Sequence, residues 1–462
     1  MKSTCICRTM PLHSLTHRAG ESAIIPCGRS FYAAAPILLT TNAIMRINTE
    51  ALPKDIDSAV NWISGLIGAA VDKRVAGFEQ QERTNPLLAS HFRKNFPLEF
   101  ALAKVRKYRK STGRLPKGDE YQRLYSFLIP THRIHGALPT EVKTPFEGRL
   151  REAVNGINGA RPFAYEISIA THLMQKGWDV AFIDYSGAAR FDLLARHGAI
   201  EFEVECKTTS GDTGRKIHRQ EVNRLADLLL PITQQVASEP GCHRILITIP
   251  DRLGKSTQEL SGIASVVASA VEQKGSASSE LARADYTFDG LDRWPQPGDP
   301  DLLPVFEQRF GVRNANLLFQ GKRDFSVAAV MIRSAKADSV VDTISAQAKE
   351  AADQCSGTRP ALIALHLIDE LNSSDLQTML NTSNELHEIT HAVFKGGKRQ
   401  HVDSIAFTVP QVTQTDSSGA KWLSGNLVML YNPQPLFPCE EVRSIFRPAS
   451  RADGSQITDP RN

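Results

Sequence analysis

The chain has 462 residues, 41% hydrophobic and 23% charged, with 54 Lys and Arg against 50 Asp and Glu. At roughly 100–200 residues per domain this length predicts two to four domains, each able to bury a core. No run reaches the ~18 uninterrupted apolar residues of a membrane-spanning helix, the apolar content excludes a wholly disordered chain, and a formal net charge of +4 indicates no polyanionic partner by itself.

Residues 1–44 carry Lys2, Arg8, Arg18 and Arg29 against Glu21 alone, with many Ser and Thr and no helical period. They lack the amphipathic period of a transit peptide and the apolar stretch of a secretory signal, so they read as a disordered extension or a mis-called leader, with Met45 as the candidate true start. From 56 to 125 the pattern is helical, and Ile56, Val60, Ile63, Ile67 and Val71 make one apolar stripe. Within that region, 93–123 holds ten Lys or Arg against three acids, a net +7, with Phe92, Phe96, Phe100, Tyr108 and Tyr121 in and beside it. Such a stretch is either a solvated helix face or a phosphate-tracking surface in which Lys104, Arg106, Lys107, Arg109 and Lys110 contact nucleic acid.

A helix over 163–176 ends at Gly177, a C-cap residue. Strands follow over 178–184, 190–196 and 199–208, the last two joined by a tight turn at His197-Gly198. A helix over 216–236 and a buried strand over 244–249 complete the order α-β-β-β-α-β. Residues 275–301, rich in Ser, Gly, Pro and Asp, read as a linker or long loop. Strands over 327–332, 361–367, 404–409 and 427–431 then alternate with helices over 340–352 and 376–394. The polar tail after 447 reads as disordered. The plan is an α/β chain with a helical basic region over 45–155, a core over 156–274 and a further α/β region over 302–447. Its seven Cys have no CxxC spacing and suit neither a zinc site nor a disulfide framework, so they read as free thiols of a cytoplasmic protein.

Residues 199–207 read Ala-Ile-Glu-Phe-Glu-Val-Glu-Cys-Lys. The alternation places Glu201, Glu203, Glu205 and Lys207 on one face of a strand and Ile200, Phe202, Val204 and Cys206 on the other. If His197-Gly198 forms a two-residue loop, Asp192 lies opposite Glu203 and Arg190 opposite Glu205, with Asp192 diagonal to Glu205. Like charges so close across a sheet repel, and a divalent cation held by Asp192 and Glu205 would compensate them. Hard oxygen ligands suit Mg²⁺ or Mn²⁺. Lys207, on the same face, is placed to orient or deprotonate a water.

Asp192 followed by Glu205-Cys206-Lys207, within α-β-β-β-α-β, resembles the PD-(D/E)XK nuclease superfamily, the restriction-endonuclease-like fold. The resemblance covers roughly 163–249, and Phe191 stands where the family's name puts Pro. It implies a Mg²⁺-dependent nuclease in which Glu166, Asp192, Glu205 and the Cys206 backbone carbonyl hold metal and Lys207 positions the attacking water. It also implies a polar residue on the helix after the motif, for which Gln220 is the candidate, with Arg215, Lys216, His218 and Arg219 as phosphate contacts. The partner it implies is nucleic acid, DNA ahead of RNA; a role in restriction or defence and a homodimer would both fit. The rival reading keeps the fold without the catalysis, as a nucleic-acid-binding or assembly module. His132 and His135 have no third ligand in sight and read as loop or cap residues, and His366 reads as a satisfied core residue.

Overall fold

The computed structural model describes residues 44–49, 53–88, 91–291, 305, 306, 308, 316–368, 373–410, 412–415, 421–424 and 427–446. The extension over 1–43 and the tail over 447–462 lie outside the described residues. Helices α1 (Pro53–Thr84), α2 (His91–Asn95), α3 (Pro97–Thr112), α4 (Gln122–Ala137), α5 (Thr140–Asn155) and α6 (Arg161–Gln175) come first. Then follow β1 (Asp179–Phe182), β2 (Leu193–His197), β3 (Ile200–Thr209), α7 (Arg219–Ala237), β4 (Gly241–Ile249), α8 (Thr257–Glu272), β5 (Ser276–Ser278), β6 (Arg283–Asp289), β7 (Asn316–Lys322) and β8 (Ser326–Ser334). The last elements are α9 (Val340–Gln354), β9 (Ala361–Leu367), α10 (Ser373–Asn381), α11 (Glu385–Phe394), β10 (Val402–Thr408), β11 (Val412–Thr415), β12 (Lys421–Ser424), β13 (Leu427–Tyr431) and α12 (Glu440–Ser444). No helix among the described residues is long and apolar enough to cross a membrane. Cys206, Cys242, Cys355 and Cys439 are buried free thiols.

The chain is a mixed α/β protein that divides into two units. The first comprises Met1–Asp72, Phe96–Gly211 and Val341–Asn462. Its mixed sheet has the order β1-β2-β3-β9-β10-β13. β1, β2 and β3 form an antiparallel meander, β9 runs parallel to β3, β10 parallel to β9, and β13 antiparallel to β10. β9 reads Ala-Leu-Ile-Ala-Leu-His-Leu with its first five residues fully buried, the near-continuous apolar run of a strand covered on both faces. Ile167, Ala170, Leu173 and Met174 recur at helical spacing on α6 and are buried where it packs on β1 and β3. The Glu99 carboxylate on α3 accepts a 2.7 Å hydrogen bond from the Ala160 N–H, which places a negative charge at the N-terminal end of α6.

Three expectations change here. The strand at 244–249 does form, as part of β4, but it belongs to the other unit's sheet; the parallel neighbour of β3 is β9. Periodicity locates a strand without naming its partner, and a buried apolar run fits either sheet equally. Part of the linker over 275–301 is sheet: β5 and β6 pair with each other and β6 with β4, while 292–300 lie outside the described residues. The helix over 376–394 is two helices, divided before Asn384, whose φ of +59° is a left-handed conformation.

The second unit comprises Lys73–Asn95 and Asp212–Val340. Its sheet has the order β5-β6-β4-β8-β7, with β4 and β8 parallel and the other neighbours antiparallel. α7 packs on β7 and β8, and α8 on β5 and β6. The Asp212–Val340 segment begins and ends side by side: Ser339 N–H donates to Gly214 O at 2.8 Å. Gly214 has a φ of +72°, and a Cβ there would lie 2.5 Å from Ser339 O, so the close approach requires glycine.

In the first unit, Glu203 is fully buried on β3 and accepts hydrogen bonds from Ser356 N–H, Ser356 Oγ and Arg359 Nη1. Arg359 also meets Glu201 at 3.1 Å, and Arg196 bonds Glu201. Arg359→Ala would leave Glu203 buried without its cation, an uncompensated charge that costs about 3–5 kcal/mol. A matching fall in the urea midpoint is expected; a loss below about 1 kcal/mol would show that Ser356 alone satisfies Glu203.

Candidate active site

The β2–β3 hairpin sets the geometry. His197 pairs with Ile200 and Arg196 with Glu201, so the loop is Gly198-Ala199, with Gly198 at a φ of +60°. The register thus differs by two residues from one with His197-Gly198 in the loop. An even shift keeps every side chain on its face, because the strand repeat is two. It moves Asp192 from the side of Glu203 to the side of Glu205, and Arg190 is exposed instead of facing Glu205. Asp192 N–H donates to Glu205 Oε2 at 3.2 Å, and Cys206 N–H donates to Asp192 Oδ2 at 2.6 Å. Cys206 thus meets the carboxylates through its N–H.

Lys207 Nζ lies 2.9 Å from Glu205 Oε1 and donates to Gln354 Oε1 at 2.8 Å. Gln354 is the last residue of α9, the helix that leads into β9, and it has the part expected of Gln220. Gln220 is instead exposed on α7 in the second unit. On α6, Glu166 accepts a 3.0 Å hydrogen bond from Tyr185 Oη. Arg149 of α5 places Nη2 at 3.5 Å from Glu166 Oε1 and 3.9 Å from Asp184 Oδ2. Asp184 and Tyr185 lie in a short 3-10 turn after β1.

Glu166, Asp192 and Glu205 are 8%, 8% and 2% exposed. Burial pushes the Glu205 carboxyl up to about 8, with the charge of Asp192 adding to it and Lys207 opposing. Glu166 is likewise held at about 8 by burial and by Asp192, against Arg149. Asp184 rises to about 7 for the same two reasons, and burial raises Asp192 itself against the pull of the Cys206 N–H and Lys207. Burial alone would lower the Lys207 ammonium, but the charge and hydrogen bond of Glu205, with Asp192, outweigh it and raise its pKa. Lys207 is therefore a cation and donor in this arrangement, not a base.

All four sequence-predicted residues, Glu166, Asp192, Glu205 and Lys207, belong to one electrostatic network in the first unit. Asp184, Tyr185, Arg149 and Gln354 join it unforeseen. Asp184 had one signal, its position at the C-terminal end of β1 before the Gly187 turn; Gln354 had none without the pairing of β3 with β9. Arg215 and Lys216 lie in the second unit, where Lys216 pairs with Asp251 at 3.1 Å. Of the basic stretch, Lys104 pairs with Glu120, Arg106 with Asp72 and Arg109 with Asp57. Lys107, Lys110, Arg114 and Lys117 are exposed and make no ion pair among the described residues, and Tyr108 beside them is 43% exposed. His132 and His135 sit inside α4, against Trp62, and His135 bonds Glu147 at 2.9 Å. His366 bonds Thr408 and stacks on Tyr165.

Four carboxylates face two cations here, so full ionisation leaves two uncompensated negative charges, what one divalent cation would neutralise. The donors are all anionic oxygens, which fit Mg²⁺ or Mn²⁺. Among the described residues no three acidic, His or Cys side chains stand in a ready-made ligand arrangement; Tyr185, Arg149, Lys207 and the Cys206 N–H engage the oxygens instead. The chain matches no family model, no curated protein and no solved structure.

The raised carboxyl pKa values have a consequence for stability. The folded protein keeps protons that the unfolded chain releases near pH 4, so their stabilisation is complete below that pH and is lost as pH rises through about 7 to 8. In EDTA, Tm should fall between pH 5 and pH 8. Asp192→Asn, which removes the charge common to the other three, should flatten that slope. A Tm that rises over this range would refute the electrostatic account.

Proposed function

We propose that the chain is a Mg²⁺-dependent nuclease that hydrolyses phosphodiester bonds, of DNA ahead of RNA, on a restriction-endonuclease-like core. The observation that carries this reading is the buried pairing of Asp192 with Glu205 next to Lys207, backed by Glu166 from the preceding helix. The topology supports it as well. A helix, an antiparallel β1–β2–β3 meander and a parallel fourth strand after a helix reproduce α-β-β-β-α-β, with β9 in the place expected of 244–249.

Glu166, Asp192 and Glu205 would hold the cation, with the Cys206 carbonyl as a further donor. Bound there, the cation would neutralise developing phosphate charge and acidify the attacking water. Asp192 is fixed by the Cys206 N–H, so the hairpin backbone sets the position of its oxygens. Gln354 holds the Lys207 ammonium beside Glu205, where it would orient water and offset negative charge at the phosphate. The exposed Lys107, Lys110, Arg114 and Lys117, with Tyr108, would track the nucleic-acid backbone and add salt-sensitive affinity.

Mg²⁺-dependent cleavage of plasmid and single-stranded DNA tests this. Asp192→Asn should reduce it to background and Lys207→Ala by about 10²–10³-fold. Unchanged cleavage in both variants would overturn the site. If the wild type cleaves nothing with Mg²⁺ or Mn²⁺ yet binds DNA in a salt-dependent way, the chain is a binding module on the same fold. Lys107→Glu with Lys110→Glu should reduce the slope of log affinity against log salt by about 2.

A further inference from the structure

Three arginines of the first unit, Arg443, Arg359 and Arg149, meet buried or half-buried carboxylates in two ways. Arg443 meets the fully buried Asp403 at 3.0 Å, and Arg359 meets Glu203 at 3.2 Å and Glu201 at 3.1 Å. These are close contacts that hold α12 to β10 and the 356–359 segment to β3. Arg149 differs: it stands 3.5 Å from Glu166 and 3.9 Å from Asp184, further than any of these contacts, with the Tyr185 hydroxyl as its other partner, and its side chain is 46% exposed. It is thus a cation open to solvent, held at longer range between the buried Glu166 and the half-buried Asp184.

We infer that Arg149 is a displaceable counter-ion of the site: it competes with a divalent cation for Glu166 and Asp184 and, once displaced, offers its guanidinium to the substrate phosphate. The inference rests on the nuclease reading above and adds a positioning residue to it. A guanidinium suits both duties, because it stays charged at any working pH and its planar fork matches carboxylate and phosphate alike. Binding of the cation would take over the charge of the acids and weaken their hold on Arg149. The site would then gain a phosphate contact at the moment it becomes able to cleave. Arg149 lies on the regular helix α5 with its side chain exposed, so it can leave the acids by side-chain rotation.

Mn²⁺ binding to the full chain, measured by isothermal titration calorimetry at low ionic strength, tests this without reference to turnover. Arg149→Gln and Arg149→Ala should bind Mn²⁺ about three- to tenfold more tightly than wild type, whereas Arg149→Lys, which keeps the charge, should stay within about twofold. Both neutral variants should also bind uncleaved DNA more weakly when Ca²⁺ replaces Mg²⁺. A structural arginine would give the opposite sign, because its loss would loosen the acids and weaken metal binding. Equal or weaker Mn²⁺ binding in the neutral variants overturns the inference and leaves the nuclease reading intact. Mn²⁺ binding that is absent in the wild type, or unaffected by Asp192→Asn, overturns the nuclease reading and this inference with it. If one neutral variant fails to fold, the other carries the comparison, with Arg149→Lys as the folded reference.

Discussion

Asp192 accepts a 2.6 Å hydrogen bond from the Cys206 N–H while its own N–H donates to Glu205, so one hairpin step fixes the backbone on both sides of the carboxylate pair. The charge held there acts widely. Together with burial it raises the carboxyl groups of Glu166, Asp184 and Glu205 and the Cys206 thiol. A buried charge of this kind is costly unless compensated, and the hydrogen bond from one N–H compensates only part of the cost. The remainder draws cations inward: Lys207 onto Glu205, and Arg149 onto Glu166 and Asp184. The site is organised by the electrostatic need of one residue that the β2–β3 register places.

The acids of β3 have two different fates within five residues. Glu201 and Glu203 meet Arg196, Arg359 and Ser356, which satisfy them permanently and tie β3 to the segment before β9. Glu205 meets Lys207 and the N–H of Asp192, and its carboxyl stays raised. The division follows distance from the hairpin. Near the loop, the chain before β9 supplies an arginine that lies 7% exposed; further along, where Asp192 joins the strand, the nearest cations are short of the charge present. Structural acids and candidate catalytic acids therefore share one strand face, and their partners tell them apart, not their spacing.

Much of this was legible in the residues. The alternation over 199–207 marks β3, and the predicted strands at 361–367 and 427–431 coincide with β9 and β13. The four residues chosen for Glu-Asp-Glu-Lys chemistry do share one network. What periodicity could not supply was pairing. The hairpin register depended on which residue takes the positive φ, and Gly198 takes it as the first loop residue, not the second. The fourth strand depended on which of two similar apolar runs lies beside β3, and local order favoured the nearer one. Sequence neighbours usually pair, but here the partner of β3 comes about 150 residues later. The same separation hid Gln354, whose role exists only because α9 precedes β9.

The larger segment of the second unit, Asp212–Val340, is inserted between the strand that carries Glu205 and Lys207 and the helix that carries Gln354. Such a place would be hazardous if the insert pulled on its ends, because Lys207 bonds across the gap to Gln354. The Gly214–Ser339 contact removes the hazard. With the two ends of the insert bonded to each other at 2.8 Å, the inserted segment closes on itself, and the flanking chain sees a short connection in place of about 130 residues. Domains whose ends meet are tolerated inside another fold for this reason. The entropy of bringing β3 and α9 together is then set by the closed insert and not by a long flexible loop. That closure requires glycine at position 214, because a side chain there would meet Ser339 O at 2.5 Å and open the junction.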